Sequence, residues 1–264
     1  MTTMGELAGY DLGRHRVDYT DREVMLYNLA VGATGEELDL VYERDLRVLP
    51  TMATALGLWA SERAGALGAY DSARTLHVGQ RLETRGPLAP SGSLDMTGMV
   101  SAVYDKGSAA LVEVRVESAA FVATYVLFAP DAGGFGGDRG AGAPSSEPQG
   151  APALAGEVTT DPRQALYYRL TGDRHPLHVD PELARAAGFD RPILHGLCTL
   201  GVLALGLSRL AGRHPAELTA LDVRFSAPVL PGDTLALEAW AGAPRPVRAR
   251  VGERTVVAGS LGWA

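Results

Sequence analysis

The sequence contains one cysteine among its 264 residues, Cys198. A lone cysteine cannot form an internal disulfide bond, so a small secreted fold held together by disulfides is excluded and a reducing compartment is favoured. The first sixteen residues contain acidic side chains and lack an apolar core, which is unlike a secretory signal. We therefore expect a cytoplasmic location.

A net positive charge and a membrane-length hydrophobic run are also missing. The formal net charge is −7, whereas nucleic-acid-binding proteins usually carry a basic surface, so we expect no nucleic-acid partner. The longest apolar stretch, residues 196–207, is too short to cross a bilayer, and we expect no membrane partner. The ordinary balance of 46% hydrophobic and 21% charged residues instead predicts a globular chain.

Several catalytic and cofactor-binding motifs are absent as well. The sequence has no Gly-x-Ser-x-Gly nucleophile elbow, no phosphate-binding glycine loop and no zinc pattern such as His-Glu-x-x-His. These absences argue against an elbow-type serine hydrolase, a nucleotide-binding enzyme and a zinc enzyme. We expect no cofactor and no bound metal.

Residues 130–152 are the best candidate for a linker. They are dense in glycine, proline, alanine and serine, and Phe135 is the only large apolar residue among them. Such a segment cannot bury enough surface to fold by itself. We therefore divide the chain into residues 1–129, the linker and residues 153–264.

The two parts resemble each other at a nearly constant offset. The segment PLAPSGSL at residues 87–94 matches PVLPGDTL at residues 228–235, an offset of 141. Near the start of each part, four identities follow at an offset of 140 without a gap. These are Asp21 with Asp161, Leu26 with Leu166, Tyr27 with Tyr167 and Gly32 with Gly172. Two matches at nearly one offset favour an internal duplication.

The second part is predicted to contain three helices followed by strands. Aspartate–proline starts and glycine stops predict helices at residues 161–172 and 180–188. A third helix is predicted at residues 195–209, and it should be buried because it is apolar on nearly all sides. Alternating apolar and polar residues, as in LDVRF at residues 221–225, then predict antiparallel strands.

The first part repeats this order of elements. A helix is predicted from Asp21 and another after Pro50, followed by strands at residues 92–100, 110–118 and 121–129. A buried helix followed by antiparallel strands predicts a sheet curled around that helix. The predicted class is α+β, built twice.

Three of the six histidines, His175, His178 and His195, lie within 21 residues. Asp173 and His178 flank Pro176 in a loop between two predicted helices, where a proline kink lets the two side chains converge. A carboxylate and an imidazole held together can polarise one water molecule, which suits general acid–base catalysis. Taken singly, each of the two residues also fits an ordinary turn or loop position.

Gly196 lies at the predicted start of the buried helix. Unpaired backbone N–H groups there can receive developing negative charge, and the missing side chain lets a substrate carbonyl approach. The preceding His195 fits a capping or packing role better than that of a base, and Asp180 fits an N-cap. Cys198 lies within the apolar helix and is interpreted as a core residue.

The segments YRLTGDRHPLHVDP (residues 168–181) and AGFDRPILHGLCT (residues 187–199) resemble the signature of MaoC-like, R-specific (type-2) enoyl-CoA hydratases, which have a hot-dog fold. FSAPVLPGDTL (residues 225–235) is similar to strands of that fold, and DREVMLYNLAVGA (residues 21–33) resembles the opening of its two-domain members. The resemblance implies a tandem hot-dog protein with a degenerate first copy and a catalytic second copy.

Carried over residue by residue, the resemblance implies that Asp173 and His178 activate water for addition to a trans-2-enoyl thioester, giving an R-3-hydroxyacyl thioester. Gly196 would donate its N–H to the thioester oxygen, and His175 and His195 are assigned to the substrate-binding site. The family usually has asparagine where this sequence has His175, and histidine differs from asparagine because it is larger and titrates near neutral pH.

The offset of 140 aligns Ala33 with Asp173 and Leu38 with His178, so the first part lacks both acid–base groups. We expect it to pair with the second part and to make room for a bulky acyl chain. The expected substrate is an acyl-CoA, with an acyl-carrier-protein dehydratase and a non-catalytic thioester binder as the alternatives. A thioesterase shares the fold class but not the motif, and a homodimer is possible.

Overall fold

The computed structural model describes residues 2–141 and 148–264. Within these ranges, ten strands form one continuous antiparallel sheet. The strands are β1 (Asp11–Tyr19), β2 (Leu76–Thr84), β3 (Gly92–Asp105), β4 (Ala109–Ser118), β5 (Phe121–Pro130), β6 (Leu154–Thr159), β7 (Leu218–Phe225), β8 (Thr234–Ala239), β9 (Arg245–Val251) and β10 (Arg254–Trp263). Their spatial order is β1-β3-β4-β5-β2-β7-β10-β9-β8-β6.

The strand order is the same in the two halves of the sheet. Starting from the two edges, the first half is β1-β3-β4-β5-β2 and the second half is β6-β8-β9-β10-β7. The halves meet where β2 pairs with β7, with Leu82 opposite Leu221. Both leucines are buried, at 1% and 3% exposure, so the junction belongs to the hydrophobic core. This symmetry agrees with the predicted repeat.

Seven α-helices are present in the described part of the chain. They are α1 (Asp21–Ala30), α2 (Leu38–Val41), α3 (Met52–Leu56), α4 (Trp59–Ala66), α5 (Gln164–Tyr168), α6 (Pro181–Ala186) and α7 (Gly196–Leu210). The buried helix predicted at residues 195–209 is α7, whose residues from Leu197 to Ser208 are all buried. The α+β prediction is confirmed. No helix in the described ranges is both long and apolar enough to cross a membrane.

The central helix of the first half is divided, in contrast to α7. Helix α3 ends at Gly57, and α4 begins two residues later at Trp59. A Cβ atom on Gly57 would come within 2.5 Å of the Tyr125 hydroxyl. This hydroxyl donates a hydrogen bond to the Thr54 carbonyl at 2.6 Å. The bond and the missing Cβ let β5 pack closely against the break.

Some elements differ from the sequence prediction. The strands β1, β2 and β6 were not predicted, and the helix expected from residue 161 begins at Gln164 and continues as a 3-10 turn at Arg169–Thr171. The start of the predicted linker is held in place, because Gly134 and Gly136 donate N–H groups to the Asp105 carboxylate at 3.0 and 2.8 Å. Residues 142–147 of that linker lie outside the described residues.

Candidate active site

The loop between α5 and α6 contains Asp173 and His178 and is shaped by short turns. Gly172 ends the preceding 3-10 turn with φ of 138°, which a side chain would oppose. Pro176 then begins a second 3-10 turn at Pro176–His178. Asp180 accepts hydrogen bonds from the first N–H groups of α6, as predicted for an N-cap. The loop therefore changes direction twice within eight residues.

The two turns bring Asp173 and His178 together. One ligand atom from each, with one from His195, lies within 4.8 Å of the others. Asp173 also accepts a hydrogen bond from the backbone N–H of His175 at 3.2 Å, which holds its carboxylate at the turn. The convergence predicted from the proline kink is present in the structure.

The surroundings of His178 favour its neutral imidazole. Burial lowers the pKa of its imidazole, and the Asp173 carboxylate only partly opposes this shift. The Nδ1 atom lies 2.9 Å from the Ile193 carbonyl, which can only accept, so Nδ1 carries the proton. The Nε2 atom of the neutral ring then has a free lone pair that can accept a proton from water.

His195 lies behind His178 and not at the surface of the cavity. Its ring stacks on that of His178, with centroids 3.7 Å apart, and only 1% of the residue is exposed. Burial and the adjacent His178 lower the pKa of its imidazole well below the usual range, so the ring is neutral. Its Nε2 lies 3.1 Å from the Asp173 carbonyl, which can only accept, so Nε2 is the donor. This placement favours a role in supporting the loop over the contact with substrate that we expected.

The start of α7 forms one wall of the site. Gly196 is the first residue of the helix, and the side chain of the N-cap residue, His195, does not bond to the N–H groups of its first turn. Gly196 and Leu197 line a cavity of about 740 Å³ that also contains Asp173 and His178. The predicted oxyanion donor therefore faces the same space as the predicted acid–base pair.

His175 is exposed at the rim of this cavity. Its Nδ1 accepts a hydrogen bond from the Leu177 N–H at 3.2 Å, which closes the turn before Pro176. An asparagine side-chain oxygen can accept the same bond in an Asx turn. Histidine thus replaces the usual asparagine of the motif without losing the turn.

One residue of the site, His77, was missed by the sequence analysis. It lies near the start of β2, lines the cavity and is packed edge-on against Phe225, with ring centroids 5.2 Å apart. Burial lowers its pKa to about 4, although the Gly79 carbonyl and the Asp173 carboxylate oppose the shift. An isolated histidine in an unpredicted strand gives no sequence signal, so only the β2–β7 pairing reveals it.

The cluster of Asp173, His178 and His195 is also the one group of potential metal ligands found among the described residues. The stacked rings are inclined by 25°, and imidazole lone pairs lie in the ring planes. The lone pairs of the two rings therefore lie in stacked, nearly parallel planes, and an ion between the rings would lie outside at least one of these planes. The arrangement suits an acid–base pair with a supporting ring better than a metal centre.

Two family models match the chain. Residues 144–260 match the MaoC like domain, and residues 17–130 match the MFE-2 hydratase 2 N-terminal domain. The chain is 39% identical to 3-hydroxyacyl-thioester dehydratase Y of Mycobacterium tuberculosis, covering 93% of this chain and 88% of that protein. It is 35% identical to the peroxisomal enoyl-CoA hydratase 2 of Arabidopsis thaliana, covering 96% and 93%.

Solved structures agree with these matches. A MaoC-like dehydratase from Phytophthora capsici has a TM-score of 0.86 and 27% identity, covering 100% of this chain and 99% of the other. A Mycobacterium tuberculosis protein described as having a double hotdog fold has a TM-score of 0.61 at 15% identity, covering 100% and 98%, which supports the fold alone. The chain belongs to the MaoC-like hydratase 2 family of hydro-lyases and has the double hot-dog fold.

Proposed function

We propose that the protein catalyses the reversible hydration of trans-2-enoyl-CoA thioesters to R-3-hydroxyacyl-CoA thioesters. The observation that carries the proposal is the common cavity, in which Asp173, His178 and the uncapped start of α7 face one space. A reaction that adds water and develops charge on a thioester oxygen needs all three. Membership of a hydro-lyase family supports the same reaction class.

In the proposed reaction, one water molecule lies between Asp173 and His178. The Nε2 atom of His178 accepts a proton from this water while the Asp173 carboxylate orients it. The hydroxide adds to C3 of the enoyl group, and the electron pair moves onto the thioester oxygen. The Gly196 N–H stabilises this enolate, and one such donor typically lowers a barrier by about 3–4 kcal/mol. The proton on His178 then passes to C2, and the base is restored.

The first half is proposed to hold the acyl chain. Its contribution to the cavity comes from α4, the segment after it, the beginning of β2 and one residue of β5. Apolar residues of this wall include Leu58, Leu76 and Leu127. The halves therefore share one cavity, which a bulky acyl group can occupy from both sides.

The proposal is tested by the hydration of crotonyl-CoA and longer enoyl-CoA substrates, followed by the loss of enoyl absorbance, with the stereochemistry of the product determined. Asp173→Asn and His178→Ala should each lower kcat by about 100- to 10,000-fold, because each removes one part of the acid–base pair. Circular dichroism should show that both variants are folded.

Two control variants make the same substitutions outside the cavity, so they test whether the loss of activity depends on the position of the residue. Asp190→Asn makes the same change at an exposed aspartate of the next loop, and His214→Ala removes an imidazole that binds Asp39 away from the cavity. Both control variants should retain near-normal turnover. Near-normal rates in Asp173→Asn or His178→Ala would contradict the catalytic assignment.

The thioester carrier is the second question. The relative from Arabidopsis thaliana is named for CoA substrates, whereas the name of the dehydratase from Mycobacterium tuberculosis specifies only a thioester. Comparison of one acyl group on CoA and on an acyl carrier protein distinguishes the CoA enzyme from the carrier-protein dehydratase. Binding of either thioester without turnover would favour the non-catalytic binder. The cytoplasmic location and the homodimer remain predictions.

A further inference from the structure

His195 contacts two parts of the site and adjoins the third. Its Nε2 donates to the Asp173 carbonyl at 3.1 Å, and its ring lies against that of His178 at a centroid distance of 3.7 Å. It is also the residue immediately before Gly196, at the start of α7. Tyr168 packs against the imidazole at 4.9 Å and completes its enclosure.

An imidazole at this position lowers the stability of the fold in a way that an apolar ring would avoid. The Nδ1 atom of His195 is buried and has no hydrogen-bond partner among residues 2–141 and 148–264. A buried polar atom without a partner destabilises a fold, so phenylalanine would fill similar space more favourably. Histidine differs from phenylalanine in having an N–H group that donates to the Asp173 carbonyl.

The loop around Asp173 has few other restraints. Its neighbours Arg174 and His175 are exposed, and the adjoining elements are short 3-10 turns instead of strands. The hydrogen bonds from His178 to the Ile193 carbonyl and from His195 to the Asp173 carbonyl tie this loop to the segment before α7. The second of these fixes the backbone of the carboxylate residue itself.

We propose that His195 is a positioning residue, which holds the Asp173 backbone at a fixed distance from the start of α7 so that carboxylate and oxyanion donor act on one substrate. The proposal rests on the proposed function of the site. His195 does not line the cavity, so it acts through Asp173, His178 and Gly196 and not by contact with substrate.

Two substitutions distinguish the effect of the N–H donor of His195 from the effect of its aromatic ring. His195→Phe keeps an aromatic ring against His178 and removes the donor, whereas His195→Gln can place an amide N–H near the position of Nε2. Misplacement by about 1 Å can cost about 100-fold in rate, so we expect His195→Phe to lower kcat on crotonyl-CoA by about that factor with little change in KM. His195→Gln should recover at least ten-fold of this loss.

Ser208→Ala serves as a control within the same helix. Its hydroxyl accepts from the Trp263 indole at 2.9 Å, so its loss should lower Tm and leave kcat unchanged. If the wild-type protein is active and His195→Phe has the same kcat, the inference is overturned. A wild-type protein without hydratase activity would instead overturn the proposed function, and the inference with it.

A measurement on the wild-type protein covers the case in which His195→Phe does not fold. Long-range ¹H–¹⁵N NMR of the imidazole should show the Nε2–H tautomer for His195, as donation to Asp173 requires. The Nδ1–H tautomer would mean that the bond does not form, which overturns the inference.

Discussion

At the scale of single residues, the site depends on which nitrogen of each histidine carries the proton. Backbone carbonyls near His178 and His195 accept from Nδ1 and Nε2, respectively. The first bond leaves the Nε2 lone pair of His178 available, as the proposed base requires, and the second is the bond by which we propose that His195 holds Asp173. Two adjacent imidazoles thus carry their protons on different nitrogens because the backbone around them differs.

The pH profile of kcat/KM tests the state of His178. Its imidazole must be neutral to accept a proton, and burial lowers its pKa below the ordinary value of 6.5. Activity should therefore persist below pH 6.5 and fall as the pH decreases through the lowered pKa. Initial rates between pH 8 and pH 4.5 check this expectation, and half-maximal activity at or above pH 6.5 would contradict it.

At the scale of elements, the sequence predicted α7 well because fifteen largely apolar residues follow a clear start at Gly196. The strands β1 and β6 were missed since they are edge strands, whose exposed sides tolerate charged residues as in DLGRHRVDY. Strand β2 was missed because LHVGQRLET lacks strict alternation and has a register shift between His77 and Gly79.

Gly196→Ala tests the start of α7 as the oxyanion site. A Cβ at this position would lie 3.6 Å from the Phe225 ring, an ordinary van der Waals distance, so the variant should fold with a Tm close to that of the wild type. The added methyl group should hinder the approach of the thioester carbonyl and lower kcat/KM at least ten-fold. Steady-state kinetics and thermal unfolding provide the two measurements, and unchanged kinetics would exclude close approach at this residue.

At the scale of the whole molecule, the two halves share one sheet and one core. Buried residues from both halves belong to a single hydrophobic cluster, and the pairing of β2 with β7 joins the two halves of the sheet. The cavity is lined from both sides of this junction. The first half is therefore part of the site although it lacks the aspartate–histidine pair.

Leu82→Ala tests whether the halves unfold together. Leu82 is buried at the junction opposite Leu221, and a leucine-to-alanine change in a core typically lowers the free energy of unfolding by about 2–5 kcal/mol. Chemical unfolding followed by far-UV circular dichroism and by tryptophan fluorescence should give one coincident transition, shifted to lower denaturant. The control Met99→Ala, at a residue 39% exposed on β3, should shift it little. Two separate transitions would mean that the halves are independent.

The sequence by itself determined the repeat, the α+β class, the buried helix with Gly196 at its start, and the loop that contains Asp173 and His178. These features are local or periodic, so they are visible in short stretches of chain. The tertiary structure decided the placement of His77 and His195, because both depend on contacts between residues distant in sequence. His77 pairs with Leu127 of β5 and lines the cavity beside it, and a hydrogen bond across 22 residues connects His195 to Asp173.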